Sequence, residues 1–392
     1  MAVYLDHAAT SPMPPEVLAA YVEALGVVGN PSSIHGAGQT ARELLESGRE
    51  AVARSLGADP VEVVLTGGGT ESVNLAVKGL FWARAGRAGA GRASGSRARV
   101  IAPRGEHHAT LDAVEWLERH EGTRIDWIDL DAHGRIRLDT LAAALDDEPD
   151  DIALVTALWA NNEVGTVQPV DEIVRLAHAR GVPVHLDAIA AYGQVPVDVH
   201  AVGADAVSVS AHKVGGPVGV GALVLARTAT VEPLLHGGDQ QRGRSGTQDA
   251  AGAVAFGVAA ALAVAQQPLD AVAARRDRLV AGVLSEIDGA RLRGDPDAAG
   301  RLPGNAHFTF DGVDGDALLY LLDASGIAVS TGSACQAGIP EVSHVLLAMG
   351  VPEQVARGAL RVTLGHETTD ADVDAFLAAL PDAVERARAA AG

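Results

Sequence analysis

Short apolar runs alternate with amphipathic stretches through most of this chain. The runs at residues 61–66, 100–103, 125–128, 152–158, 182–187, 197–199, 206–210 and 221–225 are rich in Val, Ile and Leu and too short for helices. Each predicts a buried strand. Between them, residues 39–56, 110–119, 140–145 and 171–180 carry apolar positions at helical spacing; in 110–119 these are Leu111, Val114 and Leu117. The stretch after Thr70 sets Val73, Ala76, Val77, Leu80 and Phe81 on one helical face. Lys78 falls off that stripe, which predicts a solvent-facing amine near a helix end. Strands and helices in this alternation predict an α/β fold with a mostly parallel sheet covered on both faces.

The rhythm changes after an alanine-rich helix at 249–265, which reads as the bridge to a second unit. There a helix at 270–286, a strand at 307–310, a helix at 315–324 and a strand at 360–364 lead to a final helix. Its stripe is Val373, Phe376, Leu377, Leu380 and Val384, and Asp370 is the predicted cap. The predicted division is a large domain over residues 15–265 and a smaller α+β domain made of residues 1–14 and 266–392. Residues 83–98, rich in Gly, Ala, Ser and Arg without an apolar period, predict a mobile surface connection.

Length and charge narrow the possibilities. A chain of 392 residues holds one large α/β domain plus a smaller one. A net charge of −20 argues against nucleic acid and against an anionic membrane surface as partners. The N-terminus carries no signal-peptide pattern, and no uncharged run reaches membrane-spanning length. One cysteine, Cys335, rules out an intrachain disulfide and predicts a reducing, cytoplasmic setting.

Candidate chemistry centres on an amine. The chain has 30 basic residues, of which only Lys78 and Lys213 are lysines. Arginine stays protonated, so these two are the side chains able to form an imine. Lys213 follows the predicted strand 206–210 in Ser210-Ala211-His212-Lys213 and runs into Gly215-Gly216. That is where open α/β sheets mount their functional groups. Asp187 ends the strand before it and could face Lys213 across one crevice. Gly67-Gly68-Gly69-Thr70, between a strand and a helix, could cradle a phosphate or be a plain tight turn. Imine-forming lysine, strand-end aspartate and phosphate loop together are the parts of a pyridoxal-phosphate site. A metal site is not predicted, because His107 and His108 are adjacent and the lone thiol excludes a multi-thiolate centre. Cys335 lies among small residues in Ser330-Thr331-Gly332-Ser333-Ala334-Cys335, a setting that predicts an accessible thiol able to move.

These strings fall into a known order. YLDHAAT, GNPSS, GGGTESVNLAVKG, EHHATL, ANNEVGTVQPV, HLDA, SVSAHKVGGPVGVGAL, RSGTQ, STGSACQAG and LRVTLG resemble a NifS/IscS-type cysteine desulfurase from Tyr4 to about Gly365. That family belongs to the class-V aminotransferases and has the fold-type-I pyridoxal-phosphate architecture. The resemblance implies conversion of L-cysteine to L-alanine, with the sulfur passed as a Cys335 persulfide to an acceptor protein. Iron–sulfur cluster assembly or tRNA thiolation would be the destination, and a homodimer the working form. It implies that Lys213 binds pyridoxal 5′-phosphate as an imine and later moves the Cα proton. His107 would stack on the ring and act as acid/base, Asp187 would pair with the ring nitrogen, and Asn162 would contact the phenolic oxygen or the substrate. Gly69, Thr70, Ser210 and His212 would hold the phosphate, with Thr247 reaching in from the second subunit. Arg361 would grip the substrate carboxylate.

Two features depart from the family pattern. Asp-Ala-x-Gln is usual after the aspartate, the glutamine donating to the phenolic oxygen, whereas here the string is Asp187-Ala188-Ile189-Ala190. The string HGGDQQRGRSGT is one residue shorter than usual before Thr247. A lyase retasked for a specialised sulfur metabolite is the competing reading that Ala190 sustains. A silent docking scaffold is the other, and it would not need Lys213, Asp187, His107 and Cys335 together.

Overall fold

The computed structural model describes residues 3–85, 97–332 and 342–391. Cys335 and most of the low-complexity stretch, residues 86–96, lie outside the described residues.

The strands in chain order are β1 (Val3–Tyr4), β2 (Val63–Thr66), β3 (Arg99–Pro103), β4 (Arg124–Ile128), β5 (Ile152–Leu158) and β6 (Val184–Asp187). They continue as β7 (Ala206–Ser210), β8 (Gly221–Leu225), β9 (Ala290–Arg293), β10 (Asn305–Phe310), β11 (Ile327–Ala328) and β12 (Ala359–Thr363). Seven of them form the main sheet in the order β2-β8-β7-β6-β5-β3-β4. Pairings among β3 to β7 are parallel, and β8 runs antiparallel between β7 and β2. Two reversals restore the direction, so β2 points the same way as β7. The C-terminal ends of β2, β3, β5, β6 and β7 therefore share one edge of the sheet, where open α/β sheets bind ligands.

Burial explains the apolar runs. Every residue of β5, β6, β7 and β8 is buried, because helices cover both faces, so these strands read as continuous rather than alternating. Edge strand β4 is only partly buried. On one side the helix Gly69–Ala85 packs on the sheet with Val73, Ala76, Leu80 and Phe81. Across the other side run the helices Gly36–Ser55 and Ala250–Ala265, which pack against each other at Gly48 and Ala253.

A second core surrounds the antiparallel sheet β12-β10-β9, with Phe308, Phe310, Leu360, Val362 and Phe376 at its centre. The N-terminal strand joins this core: β1 pairs in parallel with β11, and Leu5 is fully buried there. A bridge between Asp6 and Thr363 continues the contact toward the main sheet edge.

The structure corrects four local expectations. Residues 197–199 do not form a strand: Asp198 caps the short helix Val199–Val202, accepting from the Ala201 N–H at 2.9 Å. The strand predicted from residue 61 begins at Val63, because Pro60–Glu62 makes a 3₁₀ turn capped by Asp59. The terminal helix is capped by Thr369, whose hydroxyl accepts from the Asp372 N–H while the Asp372 carboxylate accepts from the Thr369 N–H. Asp370 is instead inside the helix Asp370–Ala391, next to Arg275 and Arg278. Lys78 is not in open solvent near a helix end: it is half-buried in mid-helix with Nζ 4.5 Å from the centre of the Trp116 ring. The cation is held by the ring's negative face, which sequence spacing does not reveal.

Candidate active site

Five strand ends deliver the side chains. β6 ends in Asp187, β7 ends in Ser210, and a 3₁₀ turn over Ala211–Val214 places His212 and Lys213 directly beyond. β3 leads into His107, the N-cap of the helix His108–Glu121, and β5 leads into Asn162. β2 leads into the helix that starts at Gly69. These groups meet in one cavity of about 320 Å³. Gly69, Thr70, His107, Asn162, Asp187, Ser210, His212, Lys213 and Arg361 all line it. Thr247 does not: it is exposed, outside this cavity.

Lys213 is tethered from the far end of the chain. Its Nζ donates to the carbonyl of Ala8 at 2.5 Å and to that of Ala9 at 3.0 Å. Asp187, fully buried, accepts from the Ile189 N–H at 3.0 Å. Burial pushes its carboxyl up to about 6, although the nearby Lys213 charge pulls the other way. A cationic group placed against Asp187 would draw it back to the carboxylate form.

His107 accepts from the Ala109 N–H at its Nδ1, 3.1 Å away. The neutral ring therefore carries its proton on Nε2. Burial lowers its pKa to about 4, and the charges of Lys213 and its neighbours add to the shift, so the imidazole is neutral at pH 7.

The phosphate end is built from backbone. First-turn N–H groups of the helix Gly69–Ala85 have no intrahelical acceptor and carry the positive end of its dipole. Ser210 Oγ is buried there with no partner among the described residues. Ile189 packs over Gly69 so closely that a Cβ would lie 2.4 Å from its Cδ1, so any larger residue there would have to displace the Ile189 side chain. His212 Nδ1 lies 3.4 Å from Thr10 Oγ1. A flat, phosphate-bearing aldehyde fits this set: donors at one end, an amine in the middle and a carboxylate at the other.

Arg361 stands at the cavity mouth on β12. Its Nη2 is 3.0 Å from Asp6 Oδ1, and Nη1 donates to the Asn162 carbonyl at 3.0 Å. Gly332 closes the rim at φ +91°, where a Cβ would sit 3.2 Å from His307 Nε2.

Several participants escaped sequence reasoning. Asp6, Ala8 and Ala9 stand more than 200 residues from their partners in the chain, as 213 and 361 against 6–9 show, so no local spacing signals them. Glu106 is wholly buried, accepts from the Leu158 N–H at 2.8 Å, and has its carboxyl pushed up to about 8 by burial, with Asp187 adding to it. Glu163 accepts from Ser343 Oγ at 2.5 Å. Its Oε2 also lies 3.5 Å from where a Gly332 Cβ would be, so one buried carboxylate meets the flanks on both sides of residues 333–341.

Known proteins resemble this chain in sequence and fold. Residues 3–376 match the family described as aminotransferase class-V. A protein of Mycobacterium tuberculosis named IscS-like cysteine desulfurase is 53% identical over 99% of this chain and 98% of its own. A solved structure titled NifS-like protein superposes with a TM-score of 0.87 at 32% identity, covering 98% of this chain and 100% of that one. Another, titled SspA in complex with cysteine, gives 0.78 at 31% identity over 92% of this chain and 98% of that one.

Proposed function

The chain belongs to the class-V aminotransferase family, whose members depend on pyridoxal 5′-phosphate, and we propose that its pocket takes sulfur from L-cysteine and leaves L-alanine. It is a cysteine desulfurase with the fold-type-I α/β architecture. One observation carries the assignment of residues: the amine of Lys213, the carboxylate of Asp187 and the unpartnered hydroxyl of Ser210 line the same cavity.

The coenzyme, when bound, supplies an electron-withdrawing ring that stabilises negative charge at the substrate Cα. Asp187 would hold the ring nitrogen, and the helix N-terminus at Gly69 and Thr70 would hold the phosphate with Ser210 and His212. Lys213 Nζ would anchor the coenzyme and take the substrate Cα proton. The carbonyls of Ala8 and Ala9 aim its lone pair. His107 would lie against the ring and, neutral with its proton on Nε2, could give that proton without first losing a charge. Asn162 contacts the ring's phenolic oxygen or the substrate. Arg361 binds the substrate carboxylate through its planar fork, which Asp6 orients. The Cys335 thiolate attacks the substrate sulfur: the Cβ–S bond breaks, an S–S bond forms, and the persulfide remains on the enzyme.

The smaller domain built on the second core brings Arg361 to the large domain's sheet edge. The persulfide then passes to an acceptor protein for iron–sulfur cluster assembly or tRNA thiolation. A cytoplasmic setting suits that traffic and a lone catalytic thiol. A homodimer completes the site with Thr247 of the second subunit. What supports it is an exposed apolar face on the helix Pro15–Leu25, where Leu18, Val22 and Leu25 are 52%, 61% and 60% exposed.

Borohydride reduction of coenzyme-loaded protein, followed by peptide mass mapping, tests the anchor. An adduct is expected on Lys213, with Lys78→Gln still forming it. Protein that stays colourless with added coenzyme and carries no adduct at residue 213 overturns the reading.

A further inference from the structure

Lys213 lines three cavities. The first is the active-site cavity. A second, of about 30 Å³, lies behind Ala190 and is bounded by Asn162 on the substrate side and by His7, Gln194 and Asn305 beyond it. The third, of about 340 Å³, shares His7, Gln194 and Lys213 with the second and reaches the exposed Glu16 and Glu367.

The wall of the small cavity is mostly apolar, from Ile189, Ala190, Leu302 and Leu364, but Gln194 and Asn305 set two polar groups into it. Gln194 Oε1 and Asn305 Oδ1 are both buried without a partner among the described residues. A buried carbonyl oxygen left without a donor is costly. A water needs at least about 10–15 Å³ of such space and a few polar partners, and this cavity of about 30 Å³ offers both the space and two acceptors. Water is the small molecule that offers two donors and fits.

A reaction that uses an amine as base needs somewhere to send the proton. Coenzyme and substrate would occupy the front cavity, which Lys213 and Arg361 both line. We propose that the small cavity holds water and joins Lys213 to solvent from behind, so that its amine exchanges protons by a rear passage during turnover; this rests on the reading of Lys213 as the base. The ammonium Nζ–H bond breaks and its proton joins the first water. That water passes on one of its own protons, and one proton leaves through the outer cavity, with no electrons gained or lost. His7 borders both the small and the outer cavity, and burial lowers its pKa to about 4, so it stays neutral and does not trap the charge.

The test compares the parent enzyme with Gln194→Met, which removes the acceptor and narrows the passage, and Gln194→Asn, which keeps an acceptor and the space. High-resolution crystal structures of the coenzyme-loaded proteins are expected to show ordered water within hydrogen-bond reach of Gln194 Oε1 and Asn305 Oδ1 in the parent and none in Gln194→Met. With Cα-deuterated L-cysteine in ordinary water, alanine from the parent and from Gln194→Asn is expected to carry almost no deuterium. Gln194→Met is expected to retain several-fold more, up to about one third, because an ammonium holds three equivalent hydrogens. A dry cavity in the parent, or equal deuterium retention in parent and Gln194→Met, overturns the proposal. If the parent makes no alanine, the desulfurase reading fails, and the crystal structures alone decide whether the passage is wet.

Discussion

Asp6 and Arg361 meet at 3.0 Å across 355 residues of chain, the carboxylate on the segment after β1 and the guanidinium on β12. The arginine is almost wholly buried, with 4% of its side chain exposed, so the pair fixes the direction in which its remaining N–H groups point. Pairing to a charged group in such a setting is worth about 1.5–3 kcal/mol. Asp6→Ala should therefore lower kcat/KM for L-cysteine by about tenfold or more, mostly through KM. Asp6→Asn, which keeps an acceptor in place, should lose less. Steady-state kinetics on both variants check this, and an unchanged KM in Asp6→Ala contradicts it.

Ala190 leaves space where the family pattern has an amide. It lines both the active-site cavity and the small cavity behind it. A glutamine there would fill part of the rear space and present a donor to the coenzyme. Ala190→Gln should shift the visible absorbance of the coenzyme-loaded protein or the pH at which that absorbance changes. Identical spectra across a pH titration would show that the missing amide has no consequence.

Glu106 makes stability depend on pH in a direction opposite to the buried histidines. Its folded-state pKa is raised from 4.5 to about 8 by burial, so between those values the folded chain keeps a proton that the unfolded chain releases. The stability this supplies is complete below pH 4.5 and is lost as pH rises through 8, at up to about 1.4 kcal/mol per pH unit. His107, His185 and His307 have lowered values from burial, so their contribution is present above pH 6.5 and lost on acidification. Glu106→Gln should match the parent's denaturant midpoint near pH 5 and exceed it at pH 9. A parent and variant with parallel pH profiles would contradict this.

How much of this was legible beforehand depends on distance along the chain. β5, β7 and β8 could be read from their apolar runs because both faces are covered, and burial on both faces favours apolar residues. Asp187 and Lys213 announced themselves because each sits at the end of such a strand. Lys78 did not, since its partner Trp116 lies on a different helix, and helical spacing alone sent it to solvent. The 197–199 run misled because Val197 and Val199 are buried around a helix that Asp198 caps. Thr369 was passed over for Asp370 because both are cap residues, and only the reciprocal bond with Asp372 distinguishes them. Asp6, Ala8 and Ala9 fall within the YLDHAAT string, but their partners Arg361 and Lys213 are not legible from it, because the contacts form only once the chain has folded.

The central claim is that this pocket moves sulfur from L-cysteine to a thiol of its own. Coenzyme-loaded protein given L-cysteine and a reducing thiol is the direct test, with alanine, sulfide and pyruvate measured together. Alanine and sulfide in equal amounts, both abolished in Cys335→Ser, are the expected result. Pyruvate in place of alanine, or sulfide release that persists without the Cys335 thiol, would contradict it.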